Sequence, residues 1–242
     1  MFRTVGKPKR AYLILSLERT GSGLLCDALR RTGRLGTPSE LFGADALHPA
    51  TPFPDYVDRI ARQTTSGGVF GAKVHRNQYR ELERAGNVTS PLDLVPTHCR
   101  RDARMVLLRR EDRERQAISI LLARGTGVWA LADGDDTPVT LPADPHWLSR
   151  LHETPDDLSA TLDEITATIL DEARAWQDWL ELANPDALHI TYENLVDDYA
   201  ATVVRVARHV AGVTLNPEDV PPARSRKQGD ERTESMLRSW VR

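Results

Sequence analysis

The sequence predicts an α/β domain, with a parallel sheet flanked by helices, on three observations. Short, almost purely apolar runs of strand length recur along the chain, as expected of strands buried on both faces. Longer segments with apolar residues at every third or fourth position alternate with these runs, which is typical of helices that cover a parallel sheet. The 242 residues, 40% of them hydrophobic, suffice for one large domain with a sizeable core.

The elements are predicted in alternating order along the chain. The first apolar run, residues 11–17, is followed by a polar, glycine-rich loop and then by a helical pattern that begins at Leu24. Further strands are predicted at residues 69–75, 105–109 and 188–192, and helices at residues 77–85, 111–124, 155–180 and 195–212. We expect ligands at the carboxyl ends of the strands, where open parallel sheets bind them.

The third of those later helices has a clear start and a clear apolar face. Thr154 is expected to cap it, with Pro155 at the first helical position. Its apolar stripe includes Trp176, which we expect in the core. Before it, residues 125–153 are rich in Gly, Pro, Asp and Thr and carry Trp129 and Trp147. A connection of this length predicts either a lid or acceptor loop, or partial disorder, within a single domain of residues 1–242.

Charge and cysteine content exclude several classes of protein. The formal net charge of -3, from 32 Lys and Arg against 35 Asp and Glu, argues against a dedicated nucleic-acid binder. Cys26 and Cys99 offer neither a disulfide framework nor zinc spacing, and the seven histidines show no ligand spacing, so no metal site is predicted. The sequence has no apolar run of membrane-spanning length and no signal-peptide core after Met1, which predicts a cytoplasmic protein without a membrane partner.

The loop after the first strand has the composition of an anion-binding site. In residues 18–23 (ERTGSG), glycines between a strand and a helix let backbone N–H groups face an anion at the positive end of the helix dipole. Arg19, Thr20 and Ser22 add one cation and two hydroxyl donors there. An ordinary strand–helix turn is the alternative. The loop lacks the GK[ST] ending of an ATP-binding P-loop, so it fits a phosphosulfate better than a Mg²⁺-held triphosphate.

Five segments in the same order as in a known family extend this interpretation over nearly the whole chain. They are residues 15–25 (LSLERTGSGLL), 36–42 (GTPSELF), 70–78 (FGAKVHRNQ), 108–119 (LRREDRERQAIS) and 227–233 (KQGDERT). Together they resemble the trehalose 2-sulfotransferase family of PAPS-dependent sulfotransferases. The resemblance implies a P-loop-like sulfotransferase fold and transfer of the sulfuryl group of PAPS to a hydroxyl of a small molecule, a sugar or another hydroxylated metabolite, with release of PAP.

The resemblance also implies donor-binding residues. The resemblance implies that the 5′-phosphosulfate is bound by the loop and the start of its helix, namely Arg19, Thr20, Gly21, Ser22, Gly23 and Leu24. It implies that the 3′-phosphate is bound by Arg110 and Ser119, and also by Arg226, Lys227 and Gln228. Residues 191–195 (TYENL) resemble a Tyr-Glu-x-Leu element common across sulfotransferases, which we interpret as structural. The span between residues 42 and 69 is shorter than in the trehalose enzyme, so the acceptor and a possible homodimer stay open.

Two residues compete for the role of general base. Glu40 matches the position proposed as the base in the trehalose family, and its flanking residues match too, so it is the preferred candidate. Lys73 and His75 resemble the Lys-x-His of vertebrate-type cytosolic sulfotransferases, and the imidazole pKa suits a base near neutral pH. The alternatives are a solvated Glu40 and a structural His75. Lys73 could contact the transferring group in either case, and Arg19 is expected to stabilise the charge of the transition state.

Two other classes share the strand–loop–helix pattern. A nucleotide kinase or NTPase would use the same fold, but the missing Walker lysine and the absence of recognisable Mg²⁺ ligands speak against it. A non-catalytic PAP-binding protein would keep the donor site without the transfer reaction.

Overall fold

The computed structural model describes residues 6–129, 155–184 and 186–224. The strands are β1 Arg10–Ser16, β2 Val69–His75, β3 Arg104–Arg109 and β4 Leu188–Thr191. The helices are α1 Ser22–Arg31, α2 Ala44–Leu47, α3 Phe53–Thr64, α4 Arg76–Arg84, α5 Arg113–Thr126, α6 Pro155–Ala183, α7 Tyr192–Asp197 and α8 Tyr199–Ala211. Short 3₁₀ helices lie at Pro91–Leu94, Thr97–Asp102 and Pro217–Asp219.

The four strands form one parallel sheet in the order β2-β1-β3-β4. Ser16, the last residue of β1, pairs with His75 on one side and with Leu108 on the other. Arg109 at the end of β3 pairs with Thr191 at the end of β4. The loops that follow all four strands therefore emerge at one edge of the sheet, which is the edge where the sequence predicts the ligand site.

The sheet has a hydrophobic core on each face. Leu13 and Leu15 of β1 belong to the core that α3, α4, α5 and α6 cover, whereas Tyr12 and Ile14 belong to the core under α1 and α8. This alternation follows from the two-residue period of a strand, and burial on both faces explains the near-continuous apolar sequence. Trp176 of α6 is 1% exposed, and its indole N–H donates to the carbonyl of Ser16 at 3.1 Å. This hydrogen bond links α6 to the last residue of β1.

The α/β class and the parallel sheet are confirmed. Each predicted strand lies within one residue of its observed bounds, and Gly212, with φ 63°, ends α8 in the left-handed conformation that glycine favours. Two predictions need correction. The last predicted helix is two helices, because Asp198 adopts a non-helical conformation and accepts a hydrogen bond from the N–H of Ala201 as the cap of α8. Helix α3 was not predicted at all.

Part of the predicted acceptor loop is helical. Residues 125 and 126 belong to α5, which is capped by Gly127. Residues 130–154, which include Trp147 and the predicted cap Thr154, lie outside the described residues. Among the helices that the structure describes, none is long and apolar enough to cross a membrane.

Candidate active site

The loop between β1 and α1 forms a tight turn with an internal hydrogen bond. The hydroxyl of Thr20, which is fully buried, donates to the carbonyl of Leu17 at 2.9 Å, and Gly21 has φ 79° at the N-cap of α1. The first helical hydrogen bond runs from the N–H of Leu25 to the carbonyl of Gly21 at 3.2 Å. The N–H groups of residues 22–24 therefore lie outside the hydrogen-bond ladder of the helix, at its positive end, where an anion is stabilised.

Arg19 stands in this loop in a strained conformation. It is the only residue other than glycine with a positive φ, 61°, among the described residues, a conformation that costs about 1–3 kcal/mol and that tends to occur at functional sites. Its Nε donates to Oγ of Ser119 on α5 at 2.8 Å, and its Nη1 donates to the carbonyl of Trp129. Burial, and then the nearby guanidinium of Arg110, lower the pKa of Arg19. Two cations this near to each other favour the binding of an anion.

Arg110 follows β3 directly and reaches toward the same loop. Its Nη1 donates to the carbonyl of Arg19 at 3.4 Å, and its guanidinium lies over the ring of Tyr192, 4.7 Å from the centroid. Its Nε is buried and has no hydrogen-bond partner among the described residues. A buried, unpaired N–H of a cation indicates a place for an anionic ligand.

A second cluster lies where β2 ends. The backbone of Glu40 forms an isolated parallel bridge with Lys73, and this pairing brings the carboxylate to the end of the strand. Oε1 of Glu40 lies 2.5 Å from Nζ of Lys73 and 3.4 Å from Nε2 of His75, while Oε2 accepts from Nε2 of Gln78 at 2.7 Å. Nδ1 of His75 lies 3.1 Å from Oγ of Ser16. The two candidate bases are thus in direct contact with each other.

Exposure and charge distinguish the two candidate bases. The side chain of Glu40 is 43% exposed, whereas those of His75 and Lys73 are 10% and 11% exposed, so Glu40 faces solvent and His75 lies behind it. The contact with His75, and then that with Lys73, hold the pKa of Glu40 well below its ordinary value, against burial, which raises it. The carboxylate is therefore ionised and ready to accept a proton, although the same contacts weaken it as a base.

A polar cavity of about 270 Å³ lies between the loop after β1 and helices α4, α5 and α6. Its lining includes Glu18, which adjoins Arg19 in the chain, and Asn77, which follows His75 by two residues. Glu18 accepts from Nδ2 of Asn77 at 3.1 Å and lies 3.7 Å from Nη2 of Arg124. Arg80 pairs with Glu172 at 3.3 Å, and burial raises the pKa of Glu172. The apolar part of the wall is made by Leu17, Ile120, Ile165 and Ile169. The cavity thus offers both charged hydrogen-bonding groups and an apolar surface.

The structure brings most of the predicted site residues together at one edge of the sheet. Ser119, which we expected to hold the 3′-phosphate together with Arg110, accepts a hydrogen bond from Nε of Arg19. Arg226, Lys227 and Gln228 lie outside the described residues. Within the described residues, no group of three or more His, Cys, Asp and Glu side chains could hold a metal ion.

Sequence reasoning missed several residues that line the site. Asn77 and Gln78 follow His75 directly and belong to a segment already singled out, so their position after a strand was a usable signal. Glu18 likewise adjoins Arg19. Glu172 stands three residues after Ile169 and four before Trp176, so a charged residue within the apolar stripe of α6 was a signal that sequence reasoning overlooked.

Known proteins match this chain over most of its length. The family model described as Stf0 sulphotransferase matches residues 11–56 and 45–242. A trehalose 2-sulfotransferase from Mycolicibacterium smegmatis is 24% identical over 276 residues, covering 96% of this chain and 94% of the relative. Two crystal structures of retinol dehydratase with PAP, one with retinol and one with androsterone, have TM-scores of 0.41 and 0.39 at 14% and 15% identity, and the alignments cover 98% of this chain and 81% and 82% of theirs.

Proposed function

This chain belongs to the Stf0 sulphotransferase family and is a PAPS-dependent sulfotransferase, and from that premise we propose which of its residues transfer the sulfuryl group to a hydroxyl acceptor. One observation carries the proposal: a candidate anion site and an ionised carboxylate lie at the same edge of the sheet, and Glu18 and Asn77, which are near Arg19 and His75 in the chain, line a polar cavity. This arrangement supplies the three requirements of the reaction, which are a binding site for the donor, a proton acceptor and a binding site for the acceptor hydroxyl.

The phosphosulfate end of PAPS is assigned to the loop after β1. The backbone N–H groups of residues 22–24, together with Arg19, Gly21 and Ser22, provide donors and positive potential without a metal ion. Thr20 shapes the loop and is not a hydroxyl donor to the ligand, because its hydroxyl already donates to the carbonyl of Leu17. Arg19 is assigned a second role. As the bond to sulfur breaks, charge grows on the departing phosphate, and a buried guanidinium stabilises that charge strongly.

The 3′-phosphate is assigned to Arg110, whose unpaired buried Nε fits a charge-assisted hydrogen bond to a phosphate oxygen. Ser119 orients Arg19 through its hydroxyl. Arg226, Lys227 and Gln228 complete the phosphate site in this proposal, as the family resemblance implies. Nothing in this set of side chains requires a metal ion.

Glu40 is assigned as the base that takes the proton of the acceptor hydroxyl. It is the exposed member of its cluster, and its carboxylate is ionised. Because its basicity is lowered, it should accept the proton late, when the hydroxyl has already become acidic in the transition state. His75 and Lys73 contact the carboxylate from its buried side, and Lys73 is assigned to contact the transferring group.

The cavity between α4, α5 and α6 is assigned to the acceptor. Its carboxylates, its amide and its arginines offer hydrogen bonds to several hydroxyl groups, and its apolar wall suits the face of a sugar or of another hydroxylated metabolite. In this proposal residues 1–242 act as one cytoplasmic domain, residues 125–153 cover the acceptor, and a homodimer is compatible with the site.

Binding of PAP should raise the melting temperature of the protein without added metal. A ligand that binds only the native state stabilises it by about 2.7 kcal/mol at a hundredfold excess over its dissociation constant, which is a shift of several degrees by differential scanning fluorimetry. A shift with ATP and Mg²⁺ but none with PAP would instead support the nucleotide kinase or NTPase.

The reaction itself is tested by incubation with PAPS and a panel of sugars, phenols and other hydroxylated metabolites, read by mass spectrometry as gain of a sulfo group. Transfer to a panel member, with release of PAP in equal amount, is the expected result. Tight PAP binding without transfer to any member would support the non-catalytic PAP-binding protein.

Replacing Arg110 with alanine should weaken PAP about 10- to 100-fold more than it weakens AMP, because only PAP carries the 3′-phosphate and charge-assisted hydrogen bonds are among the strongest. Isothermal titration calorimetry on both ligands measures the difference. Arg113→Ala, an exposed position on the first turn of α5, is the matched control and should leave both affinities unchanged. Equal losses for PAP and AMP would show that Arg110 holds some other part of the donor.

A further inference from the structure

We propose that Tyr192 and Glu193 are positioning residues of the donor site, which hold Arg110 and the turn after it in the geometry that recognises a 3′-phosphate. The inference rests on the proposed function of Arg110 and adds residues that act through it. These two residues open α7 at the corner where β4 ends, in the Tyr-Glu-x-Leu segment that the sequence analysis interprets only as structural.

The ring of Tyr192 touches both segments of the donor site. The guanidinium of Arg110 lies 4.7 Å from the ring centroid, a distance at which the face of the ring attracts the cation. The same ring closes against Gly21 of the loop after β1, since a Cβ placed on Gly21 would come within 2.6 Å of Cδ2 of Tyr192. The ring is therefore a spacer that sets how far the phosphate-binding loop lies from Arg110.

The carboxylate of Glu193 holds the backbone that follows Arg110. Oε2 accepts from the N–H of Glu111 at 3.0 Å, and Oε1 accepts from the N–H of Asp112 at 3.3 Å. One carboxylate thus binds two successive N–H groups in the turn between β3 and α5. Hydrogen bonds to an ionised acceptor are about twice as strong as neutral ones, so this turn is held firmly.

The corner that carries these two residues is itself anchored. Thr191 pairs with Arg109 in the sheet, and its hydroxyl caps α7 by accepting from the N–H of Asn194 at 3.1 Å. Leu195, one turn later, is fully buried in the core under α1 and α8. A site on a rigid support keeps its geometry better than one on a free loop.

Arg110 depends on this support because, among the described residues, its side chain makes one other hydrogen bond. Its bond to the carbonyl of Arg19 is long, at 3.4 Å, and its buried Nε has no partner in the described part of the chain. Stacking on Tyr192 orients the guanidinium and still leaves its N–H groups available for a phosphate. A carboxylate partner in the same place would satisfy those N–H groups and compete with the ligand.

The test measures 3′-phosphate selectivity, the ratio of PAP affinity to AMP affinity, by calorimetry on the full chain. Tyr192→Leu should lower this ratio about 5- to 20-fold, which corresponds to the loss of a partly buried cation–π contact. Tyr192→Phe keeps the ring and should restore the ratio. Val196→Ala, an exposed position on the same helix, is the matched control and should not change it. If Tyr192 acts through Arg110, Tyr192→Leu should add nothing to the loss of selectivity already caused by Arg110→Ala.

The other outcomes overturn the positioning role, the phosphate assignment or both. Equal weakening of PAP and AMP by Tyr192→Leu would mean that the ring supports only the Gly21 loop. If Arg110→Ala lowers the ratio and Tyr192→Leu does not, the positioning role is wrong while the proposed function stands. If Arg110→Ala leaves the ratio unchanged, both the phosphate assignment and the positioning role are wrong. Should Tyr192→Leu fail to fold, Glu193→Gln, which loses one of the two N–H contacts, must still lower the ratio, and an unchanged ratio would overturn the inference.

Discussion

Replacing Glu40 with glutamine should lower the kcat of sulfuryl transfer by about 10²–10⁴-fold, the usual contribution of a general base, and should leave PAP affinity nearly unchanged. Glutamine keeps the shape of the side chain and can still hydrogen-bond to its neighbours, so the cluster around it should persist. What it loses is the ability to accept a proton. Steady-state rates of PAP release, with PAP affinity measured separately, distinguish this loss from a loss of donor binding.

His75→Asn is the matched comparison for that variant, because His75 contacts the same carboxylate from the buried side. It should cost less than Glu40→Gln, through the position of Glu40 alone. The opposite ranking, with Glu40→Gln close to wild type and His75→Asn nearly inactive, would assign the proton transfer to His75. If both variants stay active, no base is needed, and an acidic phenol becomes a better acceptor candidate than a sugar.

The pH profile gives an independent check with a defined sign. The contacts with His75 and Lys73 hold the pKa of Glu40 below its ordinary value, so the carboxylate stays ionised as the pH falls through the usual carboxyl range. Activity that depends on it should be lost only when the pH falls through the lowered pKa, and any stability from these contacts should be lost over the same interval. Lys73→Met removes one of the two contacts and should move the acidic limb of kcat to higher pH.

Much of the fold and part of the site could be predicted from local sequence. A strand buried on both faces is almost purely apolar, so β1 and β2 can be recognised in the sequence. The polar, glycine-rich segment after β1 can be recognised because it contrasts with the apolar strand before it. Parallel pairing then places the ends of β1, β2 and β3 side by side, which is why Arg19, His75 and Arg110 could be expected at one edge of the sheet.

The rest depends on contacts between residues far apart in the chain. The isolated bridge that brings Glu40 to Lys73, and with it to His75, is set by the path of the chain after α1, which no local pattern encodes. The hydrogen bond from Arg19 to Ser119 was not predicted, because Arg19 has a positive φ, a conformation that only the folded loop imposes. Helix α3 was missed although Phe53, Tyr56, Val57 and Ala61 are buried at helical spacing, because Pro52 and Pro54 at its start resemble a loop.

Replacing Arg19 with glutamine should lower kcat by about 10²–10³-fold, the range found when one preorganised donor to a developing charge is removed. The reason is the position of Arg19, which is partly buried, strained in its backbone and held by Ser119 beside the helix N-terminus. Glutamine meets the same backbone cost at φ 61°, so the variant tests the cation and not the strain. Arg101→Gln, an exposed arginine in a 3₁₀ helix, is the control for a general loss of positive charge and should leave kcat unchanged.

The division of the loss between binding and turnover decides the role of Arg19. A residue that stabilises charge appearing only in the transition state should affect kcat more than PAPS affinity, because the donor in its ground state places less charge on the bridging oxygen. Arg19→Lys keeps the charge but not the donor that Ser119 orients, so it should recover only part of the rate. A loss confined to PAPS affinity, with kcat unchanged, would reduce Arg19 to a donor-binding residue. The charge on the departing phosphate would then have to be stabilised by the N–H groups of residues 22–24 or by Lys73, whose replacement by methionine should in that case lower kcat more than Arg19→Gln does.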